Sequence, residues 1–213
     1  MTSTIPSSLY QKTSDLATLA YRFAETYRAN RIPPSGEQPE SDTDHTVMLS
    51  LIACALADQY APELKTSKVA EYALIHDLVE AYAGDTVSVA INFDEKAKLD
   101  KVERERLALE RIKREFDDTF PWIGQTIESY EEQEIPEARF VRVVDKFMPG
   151  LGHLQTDCIT FKQLGLPPEE IEKNIAKQTL WIEEYGKEWP EIINLYKNIM
   201  DQVLDNPFFH QTI

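Results

Sequence analysis

The stretch SKVAEYALIHDLVEAYAGD, residues 67–85, combines apolar residues at helical spacing with a cluster of ionisable residues. Its apolar residues recur at the spacing of an amphipathic helix, and Gly84 is a residue type that commonly ends helices, so the stretch predicts a helix. Within it, His76 and Glu80 are four positions apart and Asp77 and Glu80 are three apart, which predicts that the three side chains share one face. Burying an imidazole beside carboxylates in such apolar surroundings is costly unless they are paired or bind a metal ion.

Similar apolar spacing elsewhere in the chain predicts an all-α fold. Glycine is scarce, with seven residues in 213, and no stretch shows sustained alternation of apolar and polar residues. Residues 31–44, RIPPSGEQPESDTD, contain three prolines and are predicted to form a long loop. We expect one domain over residues 1–213, with a motif core at about 15–160 and a C-terminal helical extension at about 165–205. The predicted helices cover residues 8–28, 45–61, 67–83, 120–130, 136–163, 168–185 and 190–204, and a charged stretch with weaker periodicity covers 93–118.

Composition excludes several classes of partner. The formal net charge of −15 gives a surface that repels nucleic-acid polymers and anionic membranes. The basic residues between 104 and 114 alternate with glutamates, which is typical of a solvated helix with ion pairs rather than a nucleic-acid interface. No run of 18 apolar residues indicates a membrane span, and the N-terminus does not resemble a secretory signal. Cys54 and Cys158 do not form a CxxC motif and are expected to pack in the core as free thiols. Free thiols fit a reducing compartment, so we expect a cytoplasmic protein.

Two further residues extend the cluster around His76. His45 lies at the start of the second predicted helix, and Asp145 ends the apolar run FVRVV. With His76 and Asp77 they form a candidate set of two imidazoles and two carboxylates from three helices. Such a nitrogen and oxygen set suits one divalent ion among Mn, Co, Fe, Ni, Zn and Mg, and it is a poor structural zinc site because it lacks thiolates.

Glu80 and Asp85 supply more carboxylates than one ion needs. They are candidates for an acid/base pair, because hydrolysis of a phosphate ester requires an activated water, charge neutralisation and a proton for the leaving oxygen. By contrast, His153 has no acidic neighbour in register, and His210 is expected to lie in a frayed C-terminal tail. Both are expected to be ordinary structural or surface residues.

These motifs, H45 in DTDHTVMLS, H76 and D77 in IHDLVEAYAGD, and D145 in VRVVDKF, resemble those of the HD-domain superfamily of metal-dependent phosphohydrolases. The stretch IHDLVEAYAGD is most similar to that of the small 5'-deoxynucleotidases. The resemblance implies a helical metal-dependent enzyme that is often a homodimer. It implies His45, His76, Asp77 and Asp145 as metal ligands and Glu80 and Asp85 as the acid/base pair.

The resemblance also implies an arginine before the first histidine that contacts the substrate, and Arg31 in ANRIPPSG is the candidate. In the nucleotidases an aromatic residue often follows that arginine, but here Ile32 follows it, so the resemblance leaves the preference for deoxyribose open.

The leading hypothesis is hydrolysis of (deoxy)nucleoside 5'-monophosphates to nucleoside and phosphate. One alternative is a triphosphohydrolase with the same metal centre, for which Lys96, Lys98 and Lys101 could bind the additional phosphates. The other alternative is a non-catalytic nucleotide-binding module.

Overall fold

The computed structural model describes residues 7–86 and 94–210 and confirms the all-α prediction. The prediction of one domain also covers residues 1–6, 87–93 and 211–213, which lie outside the described residues, and it stays a prediction. The helices, in chain order, are α1 (Ser7–Ala24), α2 (Asp42–Tyr60), α3 (Thr66–Ile75), α4 (Glu80–Ala83), α5 (Glu95–Phe116), α6 (Trp122–Glu132), α7 (Pro136–Asp145), α8 (Met148–Gln155), α9 (Ile159–Leu164), α10 (Pro168–Tyr185) and α11 (Pro190–Leu204). A 3-10 helix (Pro207–His210) follows them.

A small antiparallel hairpin replaces part of the predicted long loop and the end of the first predicted helix. Strand β1 (Tyr27–Arg31) pairs with β2 (Pro39–Ser41), with Tyr27 opposite Ser41 and Arg31 opposite Pro39. The strands are too short to show the alternation by which a strand is detected in a sequence. The hairpin matters because it ends directly at the first residue of α2, where the site begins.

The stretch that predicted a single helix over 67–83 contains a break. Helix α3 ends at Ile75, and residues 76–79 form tight turns in which the Glu80 amide donates to the Asp77 carbonyl oxygen at 2.8 Å. Helix α4 then ends at Gly84, whose φ of 74° favours glycine, so the predicted breaker is in place. The continuous helix was therefore wrong, and a tighter turn places His76, Asp77 and Glu80.

The predicted helix over 136–163 divides into α7, α8 and α9. Pro149 stands in the first turn of α8, where its missing amide hydrogen is tolerated, but it could not continue a helix from α7. Asp157 and Cys158 have φ values of 52° and 55°, a left-handed conformation that ends α8 before α9 begins. These breaks turn the chain after Asp145 and create a concave surface beside it.

Two groups of buried side chains hold the helices together. The larger group joins α2, α3 and α7 to the C-terminal helices, with Leu49, Tyr72, Phe140 and Trp189 among its members. The smaller group joins α1, α4, α5 and α6. Within the described ranges, no helix combines the length and the apolar character needed to cross a membrane.

Candidate metal centre

Three side chains from three elements converge at one point in the larger group of helices. His45 lies in the first turn of α2, His76 directly follows α3, and Asp145 is the last residue of α7. One potential ligand atom from each lies within 4.8 Å of the others, and the two imidazole centroids are 5.4 Å apart. This spacing matches side chains that bind one ion between them.

The position of His45 is set by the start of α2. Ser41 caps the helix: its hydroxyl oxygen accepts from the Asp44 amide at 3.1 Å, and the Asp44 carboxylate accepts from the Ser41 amide. His45 is fully buried, with Nε2 3.0 Å from Asp145 Oδ1 and Nδ1 3.6 Å from Glu40 Oε1. Burial opposes a charge on His45, but the contacts with Asp145 and Glu40 outweigh it and raise its pKa to about 9. A metal ion at Nε2 would replace that proton.

His76 is held with its Nε2 atom toward the site. Its Nδ1 donates to the Ala73 carbonyl oxygen at 2.8 Å, because a carbonyl oxygen can only accept. Its Nε2 is buried without a hydrogen-bond partner among the described residues, although Asp77 Oδ2 lies 2.9 Å away and Asp145 Oδ1 lies 3.9 Å away. Two carboxylate oxygens that face one ring nitrogen are stabilised by positive charge at that nitrogen, which either a proton or a metal ion supplies. The residues present therefore fit a divalent ion.

The two aspartates keep their negative charge. Burial opposes the charge on Asp77, but His76 and Arg28 hold the pKa of its carboxyl well below the usual range. Burial likewise opposes the charge on Asp145, whereas Lys146 and His45 lower its pKa. Asp145 Oδ2 accepts from Lys146 Nζ at 2.9 Å. The other oxygen, Oδ1, is the one that faces both histidines.

An arginine that the sequence did not single out lies among these carboxylates. Arg28 Nη1 donates to Asp77 Oδ2 at 2.7 Å and to Asp42 Oδ1 at 3.2 Å, and Glu80 Oε2 is 4.0 Å away. The predicted arginine, Arg31, instead donates to the Glu37 carbonyl oxygen at 3.5 Å. Both arginines lie on β1, whose pairing with β2 shifts register between Tyr27 and Arg31, so their contacts rather than simple strand alternation distinguish them.

The proposed acid/base residues lie on the chain that follows His76. Glu80 is 4% exposed, its Oε2 has no partner within the described part of the chain, and Lys101 Nζ lies 3.9 Å from Oε1. Burial together with the charges of Asp77 and Asp85 raises its pKa to about 10. Asp85 follows Gly84 at the cavity wall, and burial raises the pKa of its carboxyl although Arg28 opposes the shift.

The site opens into a cavity of about 410 Å³. Arg28, Asp85 and Asp145 line one end, and the cavity extends from there to the C-terminal helices α10 and α11. Of the lysines considered for extra phosphates, Lys98 pairs with Glu95 at 2.6 Å and Lys101 with Glu105 at 3.3 Å. The arrangement can hold an ion and a small anionic group at one end of a concave pocket.

Comparisons with known proteins identify the family and the fold of the chain. The sequence profile of the family described as HD domain matches residues 23–181. A 5'-deoxynucleotidase from Danio rerio, HDDC2, is 27% identical over 180 residues, which are 81% of each chain. A 5'-deoxynucleotidase from Schizosaccharomyces pombe, hdd1, is 26% identical over 127 residues, 59% of this chain and 63% of that protein. The crystal structure of a predicted metal-dependent phosphohydrolase from Magnetospirillum magnetotacticum has the same fold, with a TM-score of 0.75, 24% identity, and coverage of 96% of this chain and 97% of that one.

Proposed function

The chain belongs to the HD domain family, and from this premise we propose that it is a metal-dependent phosphohydrolase that cleaves (deoxy)nucleoside 5'-monophosphates to nucleoside and phosphate. The observation that carries the proposal is the convergence of His45, His76 and Asp145, of which Asp145 lines one end of a cavity together with Arg28. The names of the relatives from Danio rerio and Schizosaccharomyces pombe support the choice of substrate.

We assign His45, His76, Asp77 and Asp145 as the residues that would hold the ion. Bound there, a divalent cation would neutralise phosphoryl oxygens and make a water more acidic. The set of imidazoles and carboxylates accommodates Mn, Co, Fe, Ni, Zn or Mg without selecting one of them.

The remaining groups would orient the phosphate and move protons. Arg28 donates to carboxylates through Nη1 and lines the cavity, so its other N–H groups would donate to a phosphoryl oxygen bound there. In the reaction, a water oxygen attacks phosphorus and the bond from phosphorus to the 5'-oxygen breaks. Glu80 and Asp85 are the pair that would take the water proton and supply one to that 5'-oxygen. Arg31 remains a predicted substrate contact, and its place three residues from Arg28 makes the two arginines a direct test.

The proposal is tested by stripping the protein of metal and adding back Mn, Co, Ni, Zn or Mg singly. We expect at least one ion to restore release of orthophosphate from dAMP, measured with malachite green, and an Asp77→Ala variant to remain inactive with every ion. Full activity of that variant would contradict the assignment of the site.

Two alternatives have distinct outcomes in the same assay. A triphosphohydrolase would release triphosphate from dATP, which ion-exchange chromatography resolves, and would leave dAMP intact; Lys101, close to Glu80, is the lysine placed to support it. A non-catalytic module would hydrolyse none of a broad phosphate panel, while a nucleotide would raise its melting temperature.

The proposal includes a cytoplasmic location and a homodimer. Both Cys54 and Cys158 are free thiols, as expected in a reducing compartment. A second copy of the chain could cover the exposed apolar side chains of Val47, Leu51 and Leu74, which lie on α2 and α3. Sedimentation equilibrium would show a monomer if the homodimer is wrong.

A further inference from the structure

The cavity that begins at the metal centre ends in a different environment. Asp145 and Arg28 line its charged end, and Phe161, Ile175 and Met200 line its far end, which we call the inner end. The volume of about 410 Å³ is within the range of roughly 300–1,000 Å³ that small-molecule sites occupy. A ligand anchored at the metal centre by a phosphate would therefore extend its organic part toward the inner end.

The wall of the inner end is fixed by close packing of α8 on α11. A Cβ atom added to Gly150 on α8 would lie 2.8 Å from Ile199 Cγ2 and would also overlap the end of the Met200 side chain. The 3-10 helix supports the opposite side, because Phe208 and Phe209 both lie with their ring centroids 6.0 Å from that of Phe161. The shape of the inner end is thus determined by packed helices rather than by a loop.

Two polar side chains at the inner end lack partners. Thr160 is 3% exposed, and its Oγ1 has no hydrogen-bond partner within residues 7–86 and 94–210. A buried hydroxyl in that state destabilises a protein by roughly 1–3 kcal/mol, so its presence calls for an explanation. His153 stacks on Phe161 with ring centroids 4.0 Å apart, and it too forms no hydrogen bond with the described residues. Both side chains line the cavity.

Neither side chain carries a charge at neutral pH. Burial among apolar groups lowers the pKa of His153 to about 4, so its imidazole offers one donor and one acceptor. The Thr160 hydroxyl also donates and accepts. An inner end with these groups beside the aromatic faces of Phe161 and Trp181 suits a flat, uncharged ring with donors and acceptors on its edge.

We propose that the inner end binds the nucleobase of the substrate, with Thr160 and His153 hydrogen-bonding to the edge of the base and thereby setting base preference. This inference rests on the proposed function, because it places the phosphate of the same molecule at the metal centre. It gives the C-terminal helices α10 and α11 a role in specificity.

The test compares nucleotides with a substrate that lacks a base. We expect the wild-type protein to prefer at least one of dAMP, dGMP, dCMP and dTMP over 2-deoxyribose 5-phosphate by more than about 10-fold in kcat/KM. In Thr160→Val, kcat/KM for the preferred nucleotide should fall about 10-fold, whereas that for 2-deoxyribose 5-phosphate should stay within about twofold. Equal losses for both substrates, or no preference in the wild type, would overturn the proposal.

The matched control is Thr179→Val on α10. The Thr179 hydroxyl donates to the Ile175 carbonyl oxygen at 2.8 Å, and Thr179 is not part of the cavity wall. Because the Thr160 hydroxyl has no hydrogen-bond partner in the described part of the chain, Thr160→Val should keep or raise the melting temperature. Thr179→Val should lower it slightly and leave base preference unchanged. The same loss of base preference in Thr179→Val would mean that the effect is structural.

Binding of nucleosides separates this inference from the proposed function. Nucleosides lack the phosphate, so calorimetry with the four 2'-deoxynucleosides measures the inner end alone. If no phosphate is released from any substrate but one nucleoside binds the wild type at least about 10-fold more tightly than Thr160→Val, the proposed function fails and the base site stands. If phosphate is released from all substrates equally and no nucleoside binds, the base site fails and the proposed function stands.

Discussion

The pKa values of two buried histidines, one at the metal centre beside the cavity and one in the wall of the inner end, are shifted in opposite directions. His45, at the metal centre, is surrounded by Asp145 and Glu40, and its pKa is raised to about 9. His153, at the inner end, is buried beside Phe161, and burial with no contribution from a carboxylate of the described residues lowers its pKa to about 4. Burial alone disfavours the charge in both cases, so the difference comes from the neighbouring acids.

The contrast between the two histidines indicates that the two ends of the cavity suit different parts of a ligand. The end with His45 is built from charges that need one another, and removing one leaves the others uncompensated. At the end with His153, burial keeps the imidazole uncharged, and the Thr160 hydroxyl has no hydrogen-bond partner among the described residues. A molecule with an anionic head and a neutral ring, such as a nucleoside monophosphate, matches both ends. Substitutions at the two ends should therefore have different effects on metal content, activity and stability.

The largest effect is expected from Asp145→Asn at the charged end. An amide cannot replace the carboxylate that faces both histidines, so we expect bound metal to be lost and kcat to fall by roughly 10³-fold or more. Metal content measured by mass spectrometry and phosphate release would report both losses.

Asp157→Asn is the matched control for that change. Asp157 is exposed, pairs with Lys162 at 2.8 Å, and has a left-handed backbone that asparagine tolerates. Its activity should equal that of the wild type. A metal content that remains normal in Asp145→Asn would show that the charged end does not depend on this ligand.

The next effect distinguishes the two arginines of β1. In Arg28→Leu, the charges of Asp42 and Asp77 lose their buried counterion, which we expect to cost about 3 kcal/mol of unfolding free energy along with most of the activity. Arg31→Leu should change stability by less than about 1 kcal/mol, because Arg31 donates only to a backbone carbonyl oxygen in the described structure. Urea denaturation of both variants gives the comparison. Equal losses would restore Arg31 as a residue of the site.

The sequence predicted the metal centre better than the inner end of the cavity. His45, His76 and Asp145 were recognisable because ionisable residues on apolar helices are anomalous, and the structure brings them together. Arg28 was missed because a five-residue strand leaves no periodic signal, and the helix over 67–83 was predicted without a break because the turn at 76–79 contains neither glycine nor proline. Thr160 was missed because a threonine on a helix is unremarkable until its missing partner is seen. The HD domain family and the all-α fold are confirmed, whereas the role of each site residue stays a prediction.

A smaller effect is expected from Glu80→Gln. Glutamine keeps the shape of a protonated glutamate but cannot transfer a proton, so kcat should fall about 100-fold. Because burial and the charges of Asp77 and Asp85 disfavour a negative charge on Glu80, the neutral glutamine should unfold at the same temperature as the wild type or at a higher one. A variant with reduced stability and full activity would mean that Glu80 is a structural group and that the proton is moved by another residue.

The smallest effect tests the inner end through pH. The folded-state pKa of His153, about 4, is below its unfolded value of about 6.5, so the unfolded chain takes up the proton first as pH falls. The stability that this neutral histidine preserves is present above pH 6.5 and is lost as pH falls toward 4. At pH 5 the loss should be about 2 kcal/mol. In metal-free protein, His153→Gln should therefore lose about 2 kcal/mol less than the wild type between pH 7 and pH 5, whereas His210→Gln, at an exposed site, should follow the wild type. Urea titrations at the two pH values measure this difference. Because His45 is unchanged in all three proteins, its opposite shift cancels, and identical pH slopes for His153→Gln and the wild type would show that the inner end tolerates charge after all.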